Sequence, residues 1–166
     1  LGATMARLGL PPAPLPPLAE RVAADKRAGL AALVGRTGLP AAILDGMKTW
    51  SAAVALMGPL LAESGADPAD GLDRLLIADA RQRGIAVEGL ETAEQQFGFF
   101  DALPEDEQRA FLAGVIEDVP TAHDQFTGMI DAWATGDVDR LATFADADLG
   151  RTPALREALL TARNRD

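Results

Sequence analysis

The sequence predicts a mainly α protein: a multi-helix domain with one short strand at about residues 85–90, forming part of a larger α/β fold. Ala and Leu dominate a chain of 166 residues in which 48% are hydrophobic and 5% aromatic, and this composition favours helix over sheet. Apolar residues recur at three- and four-residue spacing along most of the chain. A single stretch, IAVEGL at residues 85–90, has the pattern of a short buried strand next to glycine.

The charge balance and the missing cysteines exclude several classes of function. The chain has 15 Lys and Arg residues against 25 Asp and Glu residues, a net charge of −10 without a basic cluster. We therefore predict no nucleic-acid partner and no binding to an anionic membrane surface. The absence of Cys excludes disulfides, thiolate metal sites and cysteine nucleophiles. No apolar run reaches the roughly 18 residues that a membrane-spanning helix needs.

The amino-terminal part predicts a short helix, a connector and a longer helix. A helical pattern covers residues 2–8 and stops at PPAPLPP, residues 11–17, which we interpret as a stiff extended connector. From Leu18 the pattern is helical again, and the glycines at Gly35 and Gly38 indicate its end.

Three further helices are predicted before the strand. Pro40 begins a short one, and Thr49 caps a longer one whose apolar face starts at Trp50. The pair Gly58–Pro59 inside that helix predicts a kink or a restart. Asp70 caps the third. Its apolar face comprises Leu72, Leu75, Leu76 and Ala80.

Five helices are predicted after the strand. The chain as a whole is predicted to have two regions: a proline-rich N-terminal segment, residues 1–17, and a single helical domain, residues 18–166. The helix starts are marked by Thr92, Pro104, the residues after Pro120, Asp137 and Pro153. The predicted core faces include Phe97, Phe100, Phe111, Leu112, Phe126, Met129, Ile130 and Trp133.

A lone strand needs a partner, because unpaired backbone N–H and C=O groups are costly when they are buried. A second copy of the chain could supply that partner, which predicts a homo-oligomer formed through residues 85–90. The remainder of a larger fold could supply it instead. As a third interpretation, the segment is only an extended connector between helices.

One carboxylate is placed where chemistry commonly occurs. Glu91 follows the predicted strand directly and precedes a helix, and ligand sites in α/β folds gather at the carboxyl ends of strands. It could ligate a hard metal or act as a general base, or it could simply accept N–H bonds at the next helix start. His123, the single histidine, is interpreted as a surface residue. These residues alone do not make a complete active site.

Several segments follow one another in an order that is typical of a known family. They are MKTWSAAVALM (residues 47–57), GLD (71–73), ADARQRGIAVEGLETAEQQ (78–96), FFDALPEDEQ (99–108), DAWATGD (131–137) and ARNRD (162–166). Together they resemble the middle of the TraB/GumN family, to which the eukaryotic Tiki proteins are distantly related. The resemblance covers roughly residues 40–166.

The resemblance implies a function for the intact protein. It implies that this chain is the central portion of a metal-dependent, peptidase-like hydrolase with a divalent metal and a peptide or protein substrate. By matching the family pattern, Glu91 and Gln96 would be the catalytic residues of this chain. Glu91 would bind the metal directly or hold one of its ligands, and Gln96 would hydrogen-bond a ligand or a neighbouring strand. The two Gly-x-x-His motifs of the family are missing here, which implies that the chain is inactive alone. A location in the bacterial cell envelope or periplasm follows by resemblance only.

A second interpretation belongs to a different class. The 166 residues contain no set of several ligands that could together hold a metal, so the chain could be a non-catalytic helical interaction or regulatory module.

Overall fold

The structure, a computed structural model, describes residues 2–63 and 71–150 together with Glu157, and within these residues it is mainly helical. The predicted fold class is therefore confirmed. Two 3₁₀ turns, Leu18–Glu20 and Ala24–Lys26, accompany the helices. The helices are α1 (Gly2–Leu8), α2 (Arg27–Thr37), α3 (Ala41–Asp45), α4 (Thr49–Glu63), α5 (Leu72–Gln82), α6 (Ala93–Asp101), α7 (Glu105–Asp118), α8 (Ala122–Thr135) and α9 (Val138–Gly150).

Helix α4 is the centre of the core, packed between α2 and α7. Its first turns are buried on every side, because Trp50, Ala52, Ala53 and Leu56 have no solvent exposure. A helix that is covered all round belongs to the interior of a fold. The facing helices contribute Leu30 and Leu33 from α2 and Leu112, Val115 and Ile116 from α7.

Helix α1 lies against α6, and the end of α1 comes very close to α4. A Cβ atom on Gly9 would lie 2.1 Å from Oγ of Ser51, so only glycine fits this approach. The backbone N–H of Lys48 donates to the carbonyl oxygen of Gly9 at 2.7 Å. Residues 2–9 are thereby attached to the helical core, and the division at residue 17 stays a prediction.

The helix predicted from Leu18 begins later than expected. Two 3₁₀ turns precede α2, which starts at Arg27. The N–H of Leu18 donates to the carboxylate of Asp45 at 2.7 Å, and the side chain of Arg21 is bound to three carbonyl groups. These contacts hold the chain against the α3–α4 connection, and this fixed path replaces the first turns of a continuous helix.

Most predicted helix ends are confirmed. Gly38 and Gly136 follow α2 and α8 with φ values of 67° and 72°, a left-handed conformation that suits glycine. Pro120 lies between α7 and α8. Helix α4 continues through Gly58–Pro59 without a restart. The predicted cap at Asp70, the helix from Pro153 and the segment at residues 162–166 lie outside the described residues.

The strand predicted at residues 85–90 does not form. Residues 85–89 have no regular secondary structure, and the backbone N–H groups of residues 86–90 donate to no backbone carbonyl of a described residue. No neighbouring strand exists in the described part of the chain to pair with them. Glycine ends α5 here, since Gly84 has a φ of 71°. The interpretation as an extended connector fits this segment better than a strand.

Two predicted core faces are also wrong. Helix α5 has no buried residue, and Leu72, Leu75 and Leu76 are exposed. On α8, the side chain of Trp133 is 72% exposed instead of buried.

The packing of α8 explains why its large apolar residues point outward. Helix α8 turns its small residues Gly128 and Ala132 towards its neighbours. A Cβ atom on Gly128 would lie 2.9 Å from the Phe144 ring of α9, and Ala132 is fully buried. Small residues on the inner side bring the helices close together and turn Trp133 away from the core.

None of the helices in the described ranges is long and apolar enough to cross a membrane.

Candidate functional site

Glu91 lies at the turn between the extended residues 85–89 and helix α6. Its side chain is half-buried, unlike most of the residues around it. A Cβ atom on Gly89 would lie 3.2 Å from the carbonyl oxygen of Glu91, so the backbone bends tightly here. Immediately after it, Thr92 and Gln95 form a complete capping box: Thr92 N–H donates to Gln95 Oε1 at 2.7 Å, and Gln95 N–H donates to Thr92 Oγ1 at 3.1 Å.

The capping box satisfies two backbone N–H groups at the start of α6, those of Thr92 and Gln95. Because Thr92 and Gln95 cap each other, the start of α6 does not depend on the Glu91 carboxylate for this bond. The assignment of Glu91 as a metal ligand and catalytic carboxylate stays a prediction.

Gln96, the other predicted site residue, lies near the start of α6. Gln96 is exposed. Glu94 forms an ion pair with Arg7 of α1 at 2.9 Å, and both side chains are mostly exposed. His123, at the start of α8, is also exposed, in agreement with its interpretation as a surface residue. Gln96 is therefore accessible to a ligand, whereas Glu94 is engaged with α1.

The described residues do not fit a metal ion by themselves. They contain no group of three or more His, Cys, Asp or Glu side chains that could hold one. Zinc sites need three or four protein ligands, and calcium sites need more. Glu91 thus belongs to no group of three or more such side chains in this part of the chain.

Two grooves are present elsewhere on the described surface. One, of about 420 Å³, is apolar and lies between the first 3₁₀ turn, α2 and α3; Leu30, Val34 and Leu44 contribute to its walls. The second, of about 490 Å³, lies between the Arg21 region and α7. Neither Glu91 nor Gln96 lines either groove. The predicted residues and these two concavities are therefore separate features.

A cluster of polar contacts, which we name the α4 junction, joins the start of α4 to α6 and α7. Oδ1 of Asp101 accepts from Lys48 Nζ at 2.5 Å and from Trp50 Nε1 at 2.9 Å. The Trp50 ring stacks on Phe97 and Phe100, with centroids 5.8 Å and 5.9 Å away. Because Lys48 precedes a helix N-terminus, where a cation is unfavourable, Asp101 offsets that charge.

Helix α7 completes the cap of α4 within the same α4 junction. The first N–H groups of a helix have no partner inside the helix. The Trp50 N–H finds one in Gln108 Oε1 at 3.1 Å, and Gln108 Nε2 donates to the Leu103 carbonyl at 2.8 Å. Thr49 Oγ1 donates to Glu105 Oε1 at 2.8 Å. Gln108 is buried and fully used by the fold, so this cluster is a structural contact rather than an open site.

Arg21 is the other buried polar side chain with several contacts, and its side chain fastens the Pro16 region to the α3–α4 connection. Its guanidinium donates to the carbonyl oxygens of Pro16 at 2.7 Å and of Met47 and Asp45 at 2.6 Å each. Burial lowers the pKa of Arg21, and the nearby Glu105 and Asp45 carboxylates oppose that shift. An arginine stays charged at physiological pH, so Arg21 is a permanent cation at this connection.

Sequence reasoning did not connect the two sides of the α4 junction. Lys48 and Asp101 are 53 residues apart in the chain, Trp50 and Gln108 are 58 apart, and no spacing rule joins them. A signal did exist, because two of the segments that carry the family resemblance, residues 47–57 and 99–108, contain both sides of the α4 junction. These family segments are therefore partners in the fold.

Replacing Asp101 by asparagine is expected to lower the free energy of unfolding by about 1–2 kcal/mol, because the Lys48 ammonium loses its charged partner while Trp50 keeps an oxygen acceptor. Urea unfolding with and without 1 M NaCl measures this loss, which is expected to shrink in salt. Asp79→Asn is the matched control, since the Asp79–Arg83 pair at 3.2 Å is exposed; its loss is expected to stay below about 0.5 kcal/mol. Equal losses for the two variants would contradict a stabilising role of the α4 junction.

The fold and the site together define a helical scaffold with one half-buried carboxylate at a chain turn. A family model described as the TraB/PrgY/gumN family matches residues 1–166. The chain belongs to this family, in agreement with the segments identified from the sequence. No curated protein and no solved structure matched the chain.

Proposed function

We propose that this chain is the helical part of a metal-dependent, peptidase-like hydrolase, and that Glu91 is the carboxylate it contributes to the metal centre. The observation that carries this proposal is the position of Glu91: a half-buried acid at a tight turn before α6, in a chain that matches the family over its whole length.

The proposal requires ligands from outside the described residues. No group of three or more metal-ligating side chains is found in that part of the chain, so no catalytic step is assigned to these residues alone. In the proposed centre, Glu91 binds the metal or orients one of its ligands. The exposed amide of Gln96, in the first turn and a half of α6, would bind a peptide substrate by hydrogen bonds.

A second function is favoured by a separate observation. Residues 71–90 expose many large apolar side chains, and such a surface is typical of an interaction module. In that case the chain serves to bind another protein surface, and Glu91 has no metal.

The two functions are distinguished with the protein expressed from its complete gene. Calorimetric titration with Zn²⁺ or Mn²⁺, and an assay of peptide hydrolysis, are compared for the wild type, Glu91→Gln and the control Glu88→Gln. Glu88 is exposed and lies three residues earlier, so its replacement tests the loss of one acid nearby.

We expect Glu91→Gln to weaken metal binding at least about tenfold and to reduce hydrolysis by about 100-fold, with Glu88→Gln close to the wild type. Equal affinity and equal activity of Glu91→Gln and the wild type would remove Glu91 from the centre. Absence of both metal binding and hydrolysis in the wild type would overturn the hydrolase and leave the interaction module.

A further inference from the structure

Residues 71–91, which we name the exposed arm, form the least packed part of the described chain. Helix α5 has no buried residue and makes at most marginal contacts with the other described elements. Seven large apolar side chains of the exposed arm are between 36% and 106% exposed. They are Leu72, Leu75, Leu76, Ile77, Ile85, Val87 and Leu90. Scattered apolar exposure is ordinary, but a contiguous set of this kind marks an interaction surface.

Helix α5 also needs a partner for its own stability. It has 11 residues, and isolated helices shorter than about 12–15 residues are marginal in water. Most helical stability in proteins comes from packing an apolar face, and α5 has such a face without a cover among the described elements. The exposed arm is therefore more stable when a second surface packs on it.

The charge of the exposed arm differs from that of the whole chain. Helix α5 carries Asp73 and Asp79 against Arg74 and Arg81, a net charge of zero, while the chain carries −10. Over residues 71–91 there are four acids and three arginines, hence −1, which leaves −9 for all other residues. Two copies of the chain repel each other over most of their surface, but not at the exposed arm.

The order of these charges suits an antiparallel pair. Asp73 is in the first turn of α5 and Arg81 is in the last turn. In a two-fold pair of antiparallel helices, each Asp73 approaches the basic end of the partner helix, and the helix dipoles oppose each other. Each exposed arm thus carries both the acidic and the basic residue that this antiparallel pairing brings together.

The extended residues of the exposed arm are self-complementary too. Centred on Val87, an antiparallel pairing of two copies puts Ile85 opposite Gly89 and Ala86 opposite Glu88, so no like charges face each other. Every second backbone N–H group of this stretch would then gain a carbonyl partner, and none of the N–H groups of residues 86–90 has a backbone partner among the described residues.

We propose that the exposed arm docks on the exposed arm of a second copy of this chain, giving an antiparallel two-fold dimer. This proposal goes beyond the proposed function, because it rests on the apolar and charge pattern of the exposed arm and holds with or without a metal centre.

Sedimentation equilibrium over a range of protein concentrations tests the dimer. The wild type, expressed from its complete gene, is expected to change from the mass of one copy to twice that mass as its concentration rises. The double variant Leu75→Glu/Leu76→Glu is expected to stay monomeric, or to raise the dissociation constant at least about 30-fold. Both side chains are exposed in the monomer, so the helical circular dichroism of the dilute protein is expected to persist.

The control changes another pair of adjacent, exposed apolar residues, which lies outside the exposed arm. Met129→Glu/Ile130→Glu on α8 is expected to dimerise like the wild type. A wild type that remains monomeric at every concentration would overturn the proposal. It would be overturned equally by a Leu75→Glu/Leu76→Glu variant with the dissociation constant of the wild type, or by loss of the dimer in the α8 variant alone.

Oxidative cross-linking then tests the two-fold geometry, since the chain has no natural Cys. In the proposed pairing Val87 faces Val87 of the second copy, so the Val87→Cys variant is expected to form a covalent dimer quickly under mild oxidation. Val138→Cys, on α9 and more exposed than residue 87 (71% against 44%), is expected to stay monomeric. Equal rates for the two variants would contradict the proposed pairing.

Discussion

Replacing Trp50 by alanine is expected to destabilise the protein by about 3–5 kcal/mol, the largest loss of any single substitution considered for this chain. Trp50 has no solvent exposure, stacks on Phe97 and Phe100, and donates to Asp101. The substitution removes the ring contacts and leaves a cavity at the centre of the core. Urea unfolding followed by circular dichroism measures the loss.

The chain offers a matched control, because it has two tryptophans and Trp133 is 72% exposed. Trp133→Ala is expected to change the free energy of unfolding by less than about 0.5 kcal/mol. If Trp50→Ala fails to fold, Trp50→Phe is expected to fold with a loss of about 1–2 kcal/mol, since it keeps the stacking and loses the N–H donor. A loss for Trp133→Ala as large as for the Trp50 variants would contradict the assignment of α4 as the central helix.

Replacing Arg21 by methionine is expected to cost about 3 kcal/mol, the second of the large effects. The side chain is almost fully buried, and it donates to the carbonyl oxygens of Pro16, Asp45 and Met47. Methionine fills similar space but leaves three carbonyl groups without this partner, and hydrogen bonds to a charged group are worth more than neutral ones. Thermal and urea unfolding both report the loss.

One variant separates the charge of Arg21 from the geometry of its guanidinium group, and a second, at another arginine, is the control. Arg21→Lys keeps the charge but replaces a planar fork by a point donor, so it is expected to lose about half as much. Arg83→Met removes an exposed arginine from the end of α5 and is expected to cost less than about 0.5 kcal/mol. An Arg21→Met variant as stable as Arg83→Met would show that Arg21 does not fasten the α3–α4 connection.

The helices could be predicted from the sequence because their signals are local. Thr92 with Gln95, Pro104 and Gly136 act within one turn of their own positions, and each marks a helix end in the structure. The first helix and the apolar face of α7 follow from spacing alone. The fold class and the family segments could therefore be recognised from the amino-acid sequence alone.

Long-range packing could not be predicted in the same way. The apolar pattern of α8 does not tell whether Trp133 or Ala132 faces the core. The tight fit of Gly128 against Phe144 decides which side of the helix faces inward. The pattern of α5 is strongly amphipathic, but periodicity describes a face and not what covers it. The predicted strand failed for the same reason, since a strand depends on a neighbour that local sequence does not contain.

The candidate site, too, could be predicted from the sequence only in part. The position of Glu91 after a short apolar stretch and before α6 was readable from the sequence, and the structure places its half-buried side chain at a tight turn. The α4 junction was not readable, because it joins Lys48 to Asp101 and Trp50 to Gln108 across the fold. The segments that identify the family thus serve two purposes: residues 47–57 and 99–108 hold the core, while residues 78–96 carry the proposed site.

The described chain therefore consists of a packed helical core and a separate exposed arm that leads to Glu91. Amide hydrogen exchange on a dilute sample, where a dimer would dissociate, tests this division most directly. The account predicts the slowest exchange in the first turns of α4 and in α7, and nearly unprotected exchange at residues 86–90. Protection at residues 86–90 equal to that of α4 in the dilute monomer would contradict it.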